Sequence, residues 1–252
     1  MSVFNNGSVP VISLLTQSIK KTLRRAGIEV HHFNPSASPA AQLAAALSSF
    51  EIDLIFDIGA NTGQFAKKLR VASYTGRIVS VEPLTTAHSA LVRDSRYDPK
   101  WHIHTRCAIG DYVGEVNLNI SRNSLSSSVL PMLSSHSRAA PDSAYIGQEF
   151  APLTTLDLVV PDYLADARAP FLKIDTQGYE WLVLDGAVET LPAMRGILIE
   201  LSLVSLYEGQ RLWQECIDRL EAEGFLLWAL LPVFVDPANG RSLQLDGLFF
   251  RP

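Results

Sequence analysis

Apolar residues Ile12, Leu14, Leu15, Ile19 and Leu23 recur at roughly helical spacing, which predicts an amphipathic helix over residues 9–26, stopped at Gly27. Ser38-Pro39 reads as a helix start, and the alanine-rich run behind it predicts a second helix to about Ser49. From residue 53 the pattern changes. Short apolar runs at 53–58, 77–81 and 101–107 predict strands, and the segments between them, 63–71 and 86–94, predict helices. Such alternation builds a parallel sheet with helices on both faces. Glu115-Val-Asn-Leu-Asn-Ile120 alternates polar with apolar, as a half-buried strand does, and departs from that rhythm. Residues 121–148 are serine-rich with few periodic apolar positions, which predicts a long functional loop, a lid or mobile segment. The sheet resumes with Phe171-Leu-Lys-Ile174, ending in Asp175, and Gly196-Ile-Leu-Ile199, ending in Glu200. A helix over 210–223, stopped by Gly224, precedes strands over 225–231 and 244–250. Their turn-rich connection, Asp236-Pro-Ala-Asn239-Gly240, allows an antiparallel pair at one edge.

With 252 residues, 47% of them apolar and 19% charged, the chain has material for one large α/β domain and no need of a second core. The predicted organisation is an N-terminal helical extension over residues 1–50, serving as a cap or a homo-oligomer contact, and one domain over residues 51–252. A net charge of -5 offers no basic surface for a phosphate backbone, which argues against nucleic acid as a partner. Lys20-Lys21-Thr-Leu-Arg24-Arg25 is read as the solvated face of the first helix. Cys107 and Cys216 have no CxxC or Cys/His spacing, so neither a disulfide framework nor a zinc site is expected. No apolar run reaches the ~18 residues that span a bilayer, and no signal-peptide order opens the chain, so the expected compartment is the cytoplasm.

The chemistry concentrates in Leu54-Ile-Phe-Asp57-Ile-Gly59-Ala60-Asn61-Thr-Gly63-Gln-Phe: an apolar run, an acid, turn-forming glycines and a helix start. That order describes a strand, a close-approach loop and a helix N-terminus, a site for an adenosine-containing ligand. The Asp57 carboxylate would repel the phosphates of a dinucleotide or of ATP. S-adenosylmethionine has none. Ile78-Val-Ser-Val81 then delivers Glu82, followed by Pro83, nineteen residues after Gly63, where a carboxylate can accept both hydroxyls of a ribose.

Several motifs in one order carry a resemblance. Phe56-Asp-Ile-Gly-Ala-Asn-Thr-Gly63, Val81-Glu-Pro83, Thr155-Leu-Asp157, Leu172-Lys-Ile-Asp-Thr-Gln-Gly-Tyr-Glu180, Glu200, Leu206-Tyr-Glu-Gly-Gln210 and Asp246-Gly-Leu-Phe-Phe-Arg251 resemble the FkbM family of S-adenosylmethionine-dependent methyltransferases, over roughly residues 50–252. The resemblance implies a class I, Rossmann-like α/β fold with a seven-stranded, mostly parallel sheet whose last strand is antiparallel. It also implies O-methylation, often of sugars or polyketide glycosides. Asn61 replaces the middle glycine of the broader class I pattern, as in the family's own signature.

Asp57 is expected to accept from the cofactor's ammonium, directly or through water, while Gly59, Ala60, Asn61 and Gly63 bring backbone close. Glu82 and Pro83 are assigned to the ribose side. Cys107 and Ala108 follow the third strand, where backbone amides can read an adenine edge, and Asp111 can accept from its amino group or merely shape a turn. Lys173 and Asp175 share one strand face by period-2 alternation, and Asp175 ends that strand as a candidate to orient or deprotonate a hydroxyl. Glu200 ends the next strand, so the two carboxylates together are candidates for a Mg²⁺ ion, although no decisive ligand cluster accompanies them. His136 is a candidate base on the long loop. Ser124, Ser127 and Tyr207 are candidate contacts for a small-molecule or glycoside acceptor. An alternative is a module that binds S-adenosylmethionine without catalysis. A nicotinamide oxidoreductase is disfavoured by Asp57 and by the lack of a GxGxxG loop.

Overall fold

The structure, a computed structural model, describes residues 11–30, 34–36 and 38–252. The start of the first predicted helix, at residues 9 and 10, lies outside them. Helix α1 runs Val11–Arg25, with Ile19 exposed, and α2 runs Pro39–Ser49, where the Ser38 hydroxyl caps the amide of Ala41. A proline at the first turn costs α2 no hydrogen bond, because that amide would be unpaired in any case. Its inner face, Ala41, Leu43, Ala46 and Leu47, is buried.

Then follow β1 (Leu54–Ile58), α3 (Gln64–Val71), β2 (Arg77–Val81), α4 (Thr85–Ser95), β3 (Trp101–Ile103), β4 (Ala108–Ile109) and β5 (Gly114–Ser121). The chain continues with α5 (Ser134–Ala139), β6 (Tyr145–Thr154), α6 (Leu156–Val159), β7 (Pro170–Ile174), α7 (Glu180–Asp185), β8 (Gly196–Ser202), α8 (Trp213–Ala222), β9 (Leu226–Val235) and β10 (Ser242–Phe250). Seven strands form one sheet in the order β3-β2-β1-β7-β8-β10-β9. All pairs are parallel except those of β10, which runs antiparallel to both β8 and β9. This is the class I methyltransferase fold, with the antiparallel strand the family resemblance implied. Every residue of β1, β7 and β8 is buried, as strands covered on both faces must be. One apolar layer, including Leu156, Val183, Leu184 and Leu220, covers one face; Leu47, Leu69 and Leu91 belong to the layer on the other.

Two expectations are corrected. The strand placed at 101–107 is β3, three residues long, and β4 lies in a separate sheet of order β4-β6-β5. The long loop of residues 121–148 is interrupted by α5 and ends in β6, which pairs antiparallel with β5. Strand β6 escaped detection because its first half does not alternate, with residues 146–148 exposed in a row, and because its apolar Ile146 and Phe150 face solvent. Its pairing with β5 supplies what its apolar pattern lacks. Among the described residues no helix is long and apolar enough to cross a membrane.

Candidate active site

Chain order reverses between β1 and β7: β1 is flanked by β2 on one side and by β7 on the other. Ligands of open α/β sheets bind at such a switch point, beyond the carboxyl ends of the strands. Here that crevice holds a cleft lined among others by Gly59, Asn61, Glu82, Pro83, Ser124 and Asp175. A second cavity adjoins it, walled in part by Lys68, His136, Glu200 and Asp246. Gly59, Asn61, Leu125, Asp175 and Gln177 border both.

The turn after β1 is built for close approach. The amides of Gly59 and Ala60 both donate to the carbonyl of Val81, at 3.1 Å each, which fastens the turn to β2. Gly59 has φ +74°, and a Cβ there would lie 1.9 Å from the Asp175 carbonyl oxygen. Gly63, with φ +83°, leaves room for the Trp101 ring. Asn61 also adopts a left-handed conformation, φ 47°, which its short polar side chain tolerates: Oδ1 accepts from the Thr62 amide at 2.8 Å.

Glu82 is buried at the cleft wall, its Oε2 accepting from the Asn61 amide at 2.7 Å and its Oε1 from the Leu84 amide at 2.9 Å. Burial pushes its carboxyl up to about 7 despite these two donors. Each carboxylate oxygen has a second lone pair, so two acceptor positions remain for a diol. Because the charged form is the acceptor, affinity for a ribose-bearing ligand should tighten as pH rises through about 7. Calorimetry with S-adenosylhomocysteine at about pH 6 and pH 8 checks the sign, and Glu82→Gln should cost about 1–2 kcal/mol at the higher pH while flattening the pH dependence.

Asp57 is placed differently from expectation. It is fully buried and does not line the cleft; its register partner Lys173 brings an ammonium within 2.9 Å of Oδ1, an ion pair without an aligned hydrogen bond. Ser80, its register partner on the other side, donates to Oδ2 at 3.3 Å and accepts from Trp101 Nε1 at 2.9 Å. The buried Lys173 loses hydration, which opposes its charge, but Asp57 and then Asp175 outweigh that and hold the ammonium above its ordinary range. Its Nζ also donates to the Gly59 carbonyl at 3.1 Å. In this geometry Asp57 steadies the turn through Lys173 rather than facing a ligand itself. A lysine inside the apolar run Phe171-Leu-Lys-Ile174 was the sequence signal for this pair.

Beyond the turn, Asp175 is part-exposed, with Oδ2 3.6 Å from Lys173 Nζ and Oδ1 accepting from Gln177 Nε2 at 2.8 Å. The same Gln177 nitrogen donates to Glu200 Oε2 at 3.0 Å, and Gln244 Nε2 donates there at 2.6 Å. Glu200 is raised well above the usual carboxyl range, by burial first and then by Asp175, Glu180 and Asp246. Asp246, opposite Glu200 in the antiparallel register, is pushed up to about 7 by burial and then by Asp175. An amide donor therefore bridges the two carboxylates proposed as Mg²⁺ ligands. Among the described residues, no group of three or more His, Cys, Asp or Glu is arranged to hold a metal ion.

Three further candidates sit away from their expected roles. His136 is not on a solvated loop but in α5, buried between Tyr207 and Phe234, with burial lowering it to about 4. It lines the second cavity as a neutral imidazole, a poor base near neutrality. Tyr207 is fully buried and lines neither the cleft nor the second cavity; its hydroxyl lies 2.9 Å from Gln177 Oε1 and 3.3 Å from the Ser126 carbonyl oxygen. Asp111 is exposed and outside the cleft lining, whereas Cys107 and Ala108 do line it, together with Tyr179, which sequence reasoning missed. Ser124 and Ser127 line the cleft and not the second cavity; Ser124 contacts the Asn61 side chain at 3.3 Å and Ser127 accepts from the Ser121 amide at 3.0 Å.

None of the residues lining the cleft is Lys, Arg or His, while Glu82 and Asp175 are both carboxylates. Such a wall repels phosphate and suits a neutral ribose joined to a cationic group. A family model described as Methyltransferase FkbM domain matches residues 57–227. The chain belongs to the FkbM methyltransferase family. Among solved structures, an FkbM methyltransferase from Methylobacillus flagellatus KT is similar over 78% of this chain and 44% of its own, at 16% identity and a TM-score of 0.45. This chain thus spans less than half of that one's length. A magnesium protoporphyrin IX methyltransferase from Synechocystis PCC 6803, solved with bound S-adenosylmethionine, is similar over 98% of this chain and 87% of its own, at 8% identity and a TM-score of 0.46. No curated protein matches the chain. The cation-free cleft with its glycine turn fits S-adenosylmethionine.

Proposed function

We propose that the chain methylates a hydroxyl group of a sugar or glycosylated small molecule. The observation that carries this reading is the position of Asp175, the strand-end carboxylate that borders both the cleft and the second cavity. S-adenosylmethionine supplies an electrophilic methyl group on a sulfonium. In this reading Asp175 accepts the proton of an acceptor hydroxyl as the hydroxyl oxygen takes the methyl and neutral S-adenosylhomocysteine leaves, and Gly59, Asn61 and Glu82 hold the donor in line with it. Positioning does most of the work in such a displacement, and a general base adds ~10² to 10⁴-fold. The second cavity supports a polyhydroxylated guest, since Asn123, Gln244, Glu200 and Asp246 offer it donors and acceptors while Phe65 and Val233 offer apolar contact.

The test is methyl transfer from isotopically labelled S-adenosylmethionine to matched acceptors: free sugars, glycosides, their aglycones, and amine analogues. Label appearing on a hydroxyl of the sugar or glycoside is the expected outcome. Label confined to nitrogen, or to aglycones without sugar, would contradict the reading.

A further inference from the structure

We infer that Gln177 is a positioning residue that fixes the Asp175 carboxylate toward the cleft and ties that orientation to the segment covering both cavities. The inference rests on the assignment of the cleft to S-adenosylmethionine, with Asp175 beside the sulfonium.

Every polar atom of the Gln177 side chain is committed. Its amide nitrogen has two hydrogens and two carboxylate partners, Asp175 Oδ1 at 2.8 Å and Glu200 Oε2 at 3.0 Å. Its Oε1 accepts from the Tyr207 hydroxyl at 2.9 Å, which fixes the amide so that donors rather than the carbonyl face the acids. Reversing the amide would set its oxygen against two carboxylates.

The backbone adds a second, independent observation. Gln177 has φ 55°, a conformation that L side chains rarely adopt, and the next residue, Gly178, has φ 98° with the Tyr207 ring where a Cβ would go. Such a conformation persists only where its surroundings over-determine it. They do so here: the Glu180 carboxylate accepts from the amides of Thr176 at 2.9 Å and Gly178 at 3.1 Å, and the Gln177 carbonyl accepts from Ser128 Oγ at 2.6 Å.

The link to the covering segment follows from the same contacts. Ser124, Leu125, Ser127 and Ser128 wall the cleft, while Leu125 and Ser126 wall the second cavity. Ser128 is bonded to the Gln177 backbone, and the Tyr207 hydroxyl sits between Gln177 and the Ser126 carbonyl. A displaced segment would therefore loosen the amide that holds Asp175. Without the amide, Asp175 and Glu200 would lose the donor they share, and Asp175, left with only the 3.6 Å ion pair to Lys173, would be free to turn away from the cleft.

Calorimetry with S-adenosylmethionine and with its neutral product S-adenosylhomocysteine separates this role from a general structural one, because a carboxylate fixed beside the sulfonium attracts the cation alone. In Gln177→Leu the affinity for S-adenosylmethionine should fall about fivefold or more relative to that for S-adenosylhomocysteine. Gln177→Gly, which relaxes the left-handed backbone, should show the same loss of preference with its melting temperature kept, so it carries the test if the leucine variant does not fold. In an Asp175→Asn background neither change should alter the ratio further, because the effect runs through Asp175. Equal losses for the two ligands, an unchanged ratio, or a further drop in the Asp175→Asn background would overturn the inference. Failure of the wild-type protein to bind either ligand would instead remove the cleft assignment itself.

Discussion

Gly59→Ala is expected to destabilise the fold by about 3 kcal/mol or more and to abolish ligand binding in the cleft. Two independent costs meet at this position. The backbone is left-handed at φ +74°, and the new methyl would stand 1.9 Å from the carbonyl oxygen of Asp175, which is backbone and cannot swing aside. Relief requires the ends of β1 and β7 to separate, and that movement would break the bond from the Asp175 amide to the Ile58 carbonyl, now 3.1 Å. It would also disturb the contact between Lys173 Nζ and the Gly59 carbonyl. Urea unfolding gives the stability change, and calorimetry with S-adenosylhomocysteine gives the loss of binding. Gly147→Ala is the matched control: beyond its own chain neighbours no atom lies within 4 Å of its added Cβ, so its effect should stay within about 0.5 kcal/mol. Equal stability of the Gly59 and Gly147 variants would mean that the β1 turn does not have the tightness described.

Asp175→Asn should lower methyl transfer by ~10²-fold or more while changing S-adenosylmethionine affinity by less than about tenfold. The substitution keeps the size of the side chain and removes its charge and its proton acceptor. Binding changes little because Glu82, the Gly59 turn and the apolar wall are untouched. A single-turnover measurement on any acceptor that the wild-type protein methylates separates the chemical step from release. Adding Mg²⁺ or EDTA to the wild-type reaction should have no effect, since Gln177 Nε2 already bridges Asp175 and Glu200. A variant that turns over at the wild-type rate would leave Asp175 without a part in the chemistry.

Much of this site was legible in the sequence because Glu82 and Asp175 directly follow buried parallel strands, whereas Glu200, expected at a strand end, lies inside β8, which runs on to Ser202. Apolar runs closed by Glu82 or Asp175 show where a strand meets the cleft, and the glycines after Asp57 show where backbone must approach closely. The inward or outward setting of a strand-end acid was not legible. Asp57 looked like a ligand contact, yet its register pairs it with Lys173, 116 residues away in sequence. The same limit applies to Tyr207, whose motif was recognised but whose hydroxyl turns inward to Gln177 and Ser126. His136 sits in a stretch with too few apolar residues to predict burial. It is buried by Tyr207 and Phe234, supplied from far along the chain. Gln177 gave no signal of its own, because its importance lies in the two acids that the sheet order places on either side of its amide.

Calorimetry on the wild-type protein with S-adenosylhomocysteine, NADH and ATP under the same conditions decides whether the cleft between β1 and β7 takes S-adenosylmethionine. A cleft walled by Glu82 and Asp175 without a cation should bind S-adenosylhomocysteine in the low-micromolar range, on the order of -7 to -8 kcal/mol, with no heat from the two phosphate-bearing ligands. Heat from NADH or ATP with none from S-adenosylhomocysteine would show that the cleft is not a site for S-adenosylmethionine.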